Sequence, residues 1–573
     1  MQPTVRRWLI DPEITLEADL SLQKFDPVLR QILFNRGYAT QDKANNFLNA
    51  IPDFDRNPFQ FKDMQIAVER IATALRGGEP IAIYGDYDVD GVSATALLVL
   101  LLQALDANVQ GYIPNRFEEG YGVNKEALTT LKEQGTQLVI TVDCGIRSLP
   151  EAQHARELGL DLIITDHHHP SGELPFALAI INPKQPGDKY PDKDLAGVGL
   201  AYKLGAALVQ HLVEQDFPFP REVRIEDYLD LVALGTVADL APLVGENRSL
   251  VRAGLNAIRS GARQGLHSLI GVSGIHASKV MASDIGFILG PRLNAAGRLE
   301  SALDSLKLLT TRSVAEAGIL AQQLDTQNRE RQKITRTIQS QAEEIALAQD
   351  PDVYLLMAAH PEFNPGVIGL AASRLTDLYY RPAIVAYQGD EFTRGSCRSI
   401  PEFHITDALD ECADLLEHHG GHAAAAGFTI RNERLPELVA RLQEIARSQL
   451  SEQSLAPTLH ADIEIHLSDL RPELLDELEK LQPTGYGNPQ AVFVSRNLKV
   501  INQRTVGKDA SHLKLAVTDG WVTYDAIAFR QGSWAGRLPK QVDLLYTFEK
   551  NEYNGYTSLQ LNVRDIKPSS YIG

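Results

Sequence analysis

The chain has 573 residues and 63.1 kDa, with 44% hydrophobic and 23% charged residues, which excludes a wholly disordered chain, a collagen-like fibre and a small disulfide scaffold. Its 55 Lys and Arg against 74 Asp and Glu leave a net charge of −19, so binding to nucleic acid would need positive charge gathered locally rather than a general polycation. At about 150 residues per domain the length predicts roughly three to four domains.

Residues 1–75 read as a short, mostly helical leader. Its start, MQPTVRRWLIDPEITLEAD, has no long apolar stretch after the arginines, so no secretory signal is expected. Between 80 and 200, β-like and helical patterns alternate. Apolar runs at 80–84, 109–114, 137–142, 160–165 and 178–182 are separated by helical patterns such as Ser93–Leu105, which predicts a parallel sheet covered on both faces. The run Ala96–Leu102 is far short of the ~20 residues a membrane helix needs. Residues 225–300 read as helical with Gly-rich breaks. Residues 303–348 form a long polar stretch in which Ile319, Leu320, Leu324, Ile334, Ile338 and Ile345 keep a loose helical spacing, as a spacer helix between domains would. Its section Gln327–Gln341 is locally basic, with Arg329, Arg331, Lys333 and Arg336 against Glu330.

A second α/β unit begins at 352–358, and residues 451–457 read as a linker. Beyond about 490 short strands alternate, for example Val542, Leu544, Tyr546 and Phe548, with Asn554-Gly555 as a hairpin turn. A small closed barrel, OB-type as one candidate, is expected there. The division read from the sequence is 1–75 leader, 76–300 catalytic domain, 301–350 connecting helix, 351–450 second α/β domain and 455–573 barrel. The three cysteines, Cys144, Cys397 and Cys412, are widely spaced with no CxxC pair, which fits a reducing, cytoplasmic location and excludes a zinc–cysteine site.

TyrGlyAspTyrAspValAspGly (84–91) carries Asp86, Asp88 and Asp90 at alternate positions. In extended chain these share a face, where three carboxylates repel unless a divalent cation neutralises them. The alternative is a solvated acidic turn capping the next helix. An EF-hand is excluded, because its twelfth position would be Leu97 and the preceding segment reads as a strand. Asp143 follows one strand pattern and Asp166-His167-His168 another. Carboxyl ends of parallel strands are where α/β sheets bind ligands, so one rim collects carboxylates and imidazoles. Asp239, alone a common helix cap, is a further candidate. Asp and His ligands without Cys suit Mn²⁺ or Mg²⁺, and their number exceeds one ion's needs. Two ions suit in-line displacement at phosphorus. No GxSxG elbow, HExxH or GxxxxGK[ST] loop occurs.

Outside this cluster, 291–298 places Arg292 and Arg298 around an Asn-Ala-Ala-Gly turn, 394–399 offers Arg394, Ser396, Arg398 and Ser399, and 420–427 is a glycine loop with His422. Arg and Ser beside exposed amides form phosphate sites, although ordinary turns with surface arginines have the same composition. Arg116 ends a strand near the acidic rim. Trp521, Tyr524, Phe529, Arg530, Trp534 and Tyr553 in the barrel are either core or a stacking platform for single strands.

AspValAspGlyValSerAlaThr (88–95), ValAspCysGly (142–145), AspHisHisHisPro (166–170) and GlyThrValAlaAsp (235–239) resemble the ordered motifs of the DHH phosphoesterase superfamily. The 291–298, 394–399 and 420–427 segments resemble the further motifs of its RecJ branch, single-stranded-DNA-specific exonucleases. The resemblance runs from about 70 to 430 and implies a DHH domain, a DHH-associated domain, two lobes joined by a long helix and a terminal OB-fold. It implies 5′-to-3′ release of mononucleotides from single-stranded DNA, dependent on two Mn²⁺ or Mg²⁺ ions, in repair and recombination. By motif match Asp88, Asp90, Asp143, His167 and Asp239 are metal ligands, with Asp86, Asp166 and His168 as auxiliary ligands or orienters. Asp90, Asp143, His167 and His168 form the catalytic set. Arg298, Ser396, Arg398 and His422 match positions at the 5′ end, with Arg116 and Arg374 as softer matches. The family often has His before ProGlyValIleGly, where this chain has Asn364. A monomer is expected, with a single-strand-binding protein or a recombination helicase as partner and no membrane association. The competing readings are a phosphoesterase of the same superfamily acting on short oligonucleotides or pyrophosphate, and an inactive replication scaffold.

Overall fold

The computed structural model describes residues 6–569 except 117, 118, 121, 262, 349–352, 554 and 555; of 552, 553 and 556 only the backbone is described. Asn554-Gly555 and the Tyr553 ring therefore lie outside what is described.

After a first strand, β1 (Arg7–Ile10), the chain builds a five-stranded sheet from β2 (Ile81–Gly85), β3 (Val109–Tyr112), β4 (Leu138–Val142), β5 (Asp161–Thr165) and β6 (Ala179–Ile181). Every pairing is parallel and the order is β3-β2-β4-β5-β6. β2 and β4 are buried along their whole length and β5 after its first residue, as strands covered on both faces must be. Helix Val89–Ala104 is apolar all round and buried throughout, save Gln103. It packs against the sheet, helix Gly197–Glu214 and helix Leu229–Ala238, so no amphipathic stripe is required of it. The chain leaves β2 for β3 on one side and reaches β4 on the other, which opens a crevice at the carboxyl ends of β2 and β4.

The second sheet contains β7 (Leu356–His360), β8 (Ala383–Gln388), β9 (Phe392–Arg398), β10 (Leu416–His422) and β11 (Ala425–Arg431) in the order β10-β11-β9-β8-β7. Only β7–β8 is parallel. The last domain holds β12 (Thr458–Ala461), β13 (Ile463–Glu464), β14 (Phe493–Val506), β15 (His512–Thr518), β16 (Thr523–Ala528), β17 (Gln541–Tyr553) and β18 (Tyr556–Pro568). The pairings β14-β15-β16-β18-β17 close through β17–β14 into a five-stranded barrel. Leu513, Leu515, Val517, Leu544, Tyr546 and Leu561 fill it.

Two boundaries differ from the sequence reading. The leader is not one unit. Leu22, Leu29, Ile32, Phe47 and Leu48 join the barrel core, and β1 pairs with β12, whereas Phe61, Met64 and Ile71 join the catalytic core. Apolar periodicity shows that a helix has a buried face but not which partner covers it. The connecting segment contains a separate helix, Leu303–Thr310, before the 34-residue helix Val314–Leu347, which is about 51 Å long at 1.5 Å per residue. Its Ala317, Leu320, Ala321 and Leu324 belong to the catalytic core, and its Ile338 and Ala342 to the second-domain core. One rigid rod thus joins both lobes, while Ile319 and Ile345 face solvent.

Candidate metal centre and phosphate-binding cleft

The acidic segment is not extended as its alternation suggested. Asp86 leaves β2, Asp88 is the N-cap of helix Val89–Ala104, and Asp90 lies in its first turn. The Asp88 carboxylate accepts from the amides of Asp90 (2.9 Å) and Gly91 (3.1 Å), so capping and clustering occur together. A Cβ on Gly91 would lie 2.5 Å from the Asp86 carbonyl oxygen, which is why only glycine lets the turn fold this tightly. Both Asp90 oxygens accept backbone amides at the start of helix Gly197–Glu214, from Gly197 (2.7 Å) and Val198 (2.9 Å). A carboxylate at a helix N-terminus is favoured by the macrodipole.

Asp143 follows β4 with a left-handed backbone, φ 61°, and its amide donates to the Thr165 carbonyl at 3.0 Å. That conformation turns its carboxylate to the rim beside β5. There His167 Nε2 stands 3.2 Å from Asp143 Oδ1 and 3.6 Å from Asp239 Oδ2. Ligand atoms of three sets, Asp143/His167/His168, Asp90/His167/Asp239 and Asp86/Asp88/Asp143, each lie within 4.8 Å of one another. Shared Asp143 and His167 join the sets into one cluster. Asp166 is in none of these sets. Its carboxylate accepts from Ile146 N (2.9 Å), His168 N (3.0 Å) and His168 Nδ1 (2.7 Å), the arrangement of a group that orients a ligand.

Buried oxygens Asp86 Oδ1 and Asp143 Oδ1 and the nitrogen His167 Nε2 have no hydrogen-bond partner among the described residues. Unsatisfied buried polar atoms are costly; Asp143 shares one ligand group with Asp86 and another with His167, and such orphaned donors along one rim fit bound cations. Burial, then the Asp88 charge, lifts Asp90 to about 7, and burial, then Asp90 and Asp88, lifts Asp239 to about 9. Asp86 and Asp143 are raised well above the carboxylate range for the same reasons. Burial, then His168, lowers His167 to about 3, leaving it a neutral ligand. Burial alone would raise Asp166, yet the His168 bond holds it low. The oxygen-rich donor set with the imidazoles of His167 and His168 matches Mn²⁺ or Mg²⁺.

Beside the cluster, Arg116 lies over the Tyr87 ring at 4.9 Å. Arg298 is lowered to about 10 by burial, then by the charges of Arg116, Arg331 and Arg398. These guanidiniums crowd together where a polyanion would be held. Arg298 lies in helix Gly290–Leu299 and not in the turn expected from 291–298. The residues 394–399 likewise form a strand end and 420–427 a hairpin. Along β9 the pleat puts Thr393, Gly395 and Cys397 inward and Arg394, Ser396 and Arg398 on the other face. Ser396 and Arg398 abut Gly369 at the start of helix Ile368–Tyr379. Arg374 lies further along that helix, within reach of Gln339 (3.4 Å), and His422 is exposed at the hairpin end. Neither belongs to the ligand sets of the acidic cluster. Asn364, in place of the usual His, accepts from the Gly366 amide at 2.8 Å, and the Gly366 carbonyl accepts from Arg298 Nη1 at 3.3 Å. Asn364 therefore shapes the turn that buttresses Arg298. In the barrel, Tyr524 and Trp534 pack on the core, whereas Trp521 and Phe529 are exposed.

The sequence reading missed Asn182 and Lys184, which donate to the His168 and His167 carbonyls at 2.9 and 2.8 Å. It also missed the Gly197 and Val198 amides. A helix opening on Gly-x-Gly beside an acidic rim was the available signal for the latter.

Residues 80–236 match the DHH family N-terminal domain, 352–448 the DHHA1 domain and 461–565 the RecJ OB domain. The single-stranded-DNA-specific exonuclease RecJ of Bacillus subtilis (strain 168) is 40% identical over 549 residues, 95% of this chain and 68% of that protein. Its counterpart from Escherichia coli (strain K12) is 36% identical over 99% of both chains. The chain belongs to the RecJ family. The crystal structure of RecJ from Thermus thermophilus in complex with Mn²⁺ matches with a TM-score of 0.83 and 30% identity, over 99% of this chain and 80% of that one. The RecJ architecture expected from the motifs thus holds: DHH domain, DHHA1 domain and OB barrel. No described helix is long and apolar enough to cross a membrane.

Proposed function

We propose that this RecJ-family chain is a metal-dependent exonuclease that degrades single-stranded DNA 5′-to-3′ to mononucleotides, in DNA repair and recombination. The observation that carries the reading is the set of orphaned buried atoms, Asp86 Oδ1, Asp143 Oδ1 and His167 Nε2, facing an arginine cluster. Asp86, Asp88, Asp90, Asp143, His167, His168 and Asp239 would hold two Mn²⁺ or Mg²⁺ ions, with Asp90, Asp143, His167 and His168 central to the chemistry. Bound there, the ions supply a Lewis acid and an activated water for attack at phosphorus.

The chain's own residues set the geometry. Asp166 fixes the His168 ring, and Lys184 and Asn182 pin the peptide carrying both histidines. Arg116, Arg298, Ser396 and Arg398 hold the 5′ phosphate and the nucleotide being removed, with bidentate guanidinium geometry suited to phosphate. His422 joins them at the 5′ end under this reading, and Arg374 is a softer member of the same set. The 34-residue helix fixes the spacing between the acidic rim and Ser396 and Arg398 of the second lobe, because both lobes pack on it. Under the same reading the protein acts as a cytoplasmic monomer, with a single-strand-binding protein or a recombination helicase as partner; family membership is the support for these points.

The test is digestion of a long single-stranded DNA labelled at either end, with Mn²⁺, with Mg²⁺ and with chelator. Early release of 5′-labelled mononucleotides, abolished by chelator, is expected. Intact long DNA alongside cleaved dinucleotides or pyrophosphate would establish the small-substrate reading instead.

A further inference from the structure

Tyr87 stands between two proposed ligands, Asp86 and Asp88, yet its side chain faces the arginines. The Arg116 guanidinium carbon lies 4.9 Å from the centre of its ring. The Tyr87 backbone carbonyl is packed so tightly against Gly297, the residue before Arg298, that a Cβ there would lie 3.0 Å from it. One residue therefore touches the metal-ligand turn, Arg116 and the helix carrying Arg298. A cation held over a ring face is attracted by the ring quadrupole, and this fixes where the guanidinium stands between the metal-ligand turn and the helix carrying Arg298.

We infer that Tyr87 is a positioning residue that holds Arg116 over its ring, poised for the substrate phosphate. The inference rests on the assignment of Arg116 to the substrate under the proposed function. It requires the ring face and not the hydroxyl group.

The experiment measures KM and kcat on 5′-phosphorylated single-stranded DNA with Mn²⁺ for Tyr87→Phe, Tyr87→Leu, Arg116→Gln and the Tyr87→Leu/Arg116→Gln double variant. Mn²⁺ binding is followed in parallel. Tyr87→Phe is expected to match the wild type. Tyr87→Leu is expected to raise KM about 3- to 10-fold, the range of a partly desolvated cation–π contact, with little change in kcat and with Mn²⁺ binding intact. The double variant should be no worse than Arg116→Gln, since the ring acts only through that arginine. An unchanged KM in Tyr87→Leu, where Arg116→Gln raises it, overturns the inference and leaves the Arg116 assignment standing. Multiplying effects in the double variant overturn it too. An unchanged KM in Arg116→Gln overturns the Arg116 assignment itself, and the inference with it. Should Tyr87→Leu fail to fold, Tyr87→Gln replaces it; loss of Mn²⁺ binding in both means that the ring serves the ligands and not Arg116, which also overturns the inference.

Discussion

His167 Nε2 and Asp143 Oδ1 stand 3.2 Å apart, both buried, and neither has a hydrogen-bond partner among the described residues. Such a pair is unfavourable in isolation, and a cation held between the ends of β4 and β5 would resolve it, as the proposed function requires. Asp143→Asn and His167→Gln keep the shape and remove one donor each. Activity is expected to fall on the order of 10³-fold in either, as for loss of a group stabilising transition-state charge, with circular dichroism unchanged. Retained activity in both would remove these residues from the metal centre.

Asp166 acts at one remove. Its oxygens accept from Ile146, the His168 amide and the His168 ring. Asp166→Asn replaces one acceptor with a donor facing a donor. A loss of about 10- to 100-fold in Mn²⁺ affinity is expected, the usual effect of losing a group that orients a ligand. Calorimetric titration checks it.

The acidic cluster sets a pH dependence whose sign follows from burial. Asp90 is raised to about 7 and Asp239 to about 9, so without a cation these groups retain protons that an unfolded chain would have lost. Cation binding must displace them. Titrating Mn²⁺ into weakly buffered protein at pH 7 should release protons, and affinity should rise between about pH 6 and 9. Because the folded state binds more protons than the unfolded one in this window, the metal-free protein loses stability as pH rises through it. Thermal melts with and without Mn²⁺ should therefore diverge with increasing pH. Parallel melting curves would contradict this account.

Arg248 joins three parts of the chain. Its buried guanidinium donates to the carbonyls of Phe47, Lys480, Leu481, Gln482 and Pro483 at 2.8 to 3.2 Å, and it lies over the Phe47 ring at 4.0 Å. Arg248→Met leaves those carbonyls without their donor, a loss of at least about 2–3 kcal/mol where buried charged bonds are broken. The barrel and the leader helices should separate from the catalytic lobe more readily. Limited proteolysis between 451 and 457 should accelerate, while Mn²⁺ binding by the catalytic lobe persists.

The elements of the catalytic domain were legible because each carries its own signal. The β2, β4 and β5 segments are unbroken apolar runs, which only a doubly covered sheet explains. Acidic residues at their ends point to one rim wherever such strands run parallel. The RecJ motifs between 291 and 427 were legible as motifs but not as shapes. ArgLeuAsnAlaAlaGlyArg has turn composition and yet completes a helix, because Ala295, Ala296 and Gly297 are buried and tertiary packing outweighs local propensity.

By itself the sequence determined the fold class, the order of domains and the residue types of the rim, since periodicity and strand-end chemistry are local properties. Only the tertiary structure decided which lobe each leader helix covers, that Asp166 orients His168, that Gly197 and Val198 hold Asp90, and that Tyr87 lies under Arg116. Those relations join residues up to hundreds of positions apart, and no local pattern encodes which buried faces and unpaired donors will meet when the chain closes on itself.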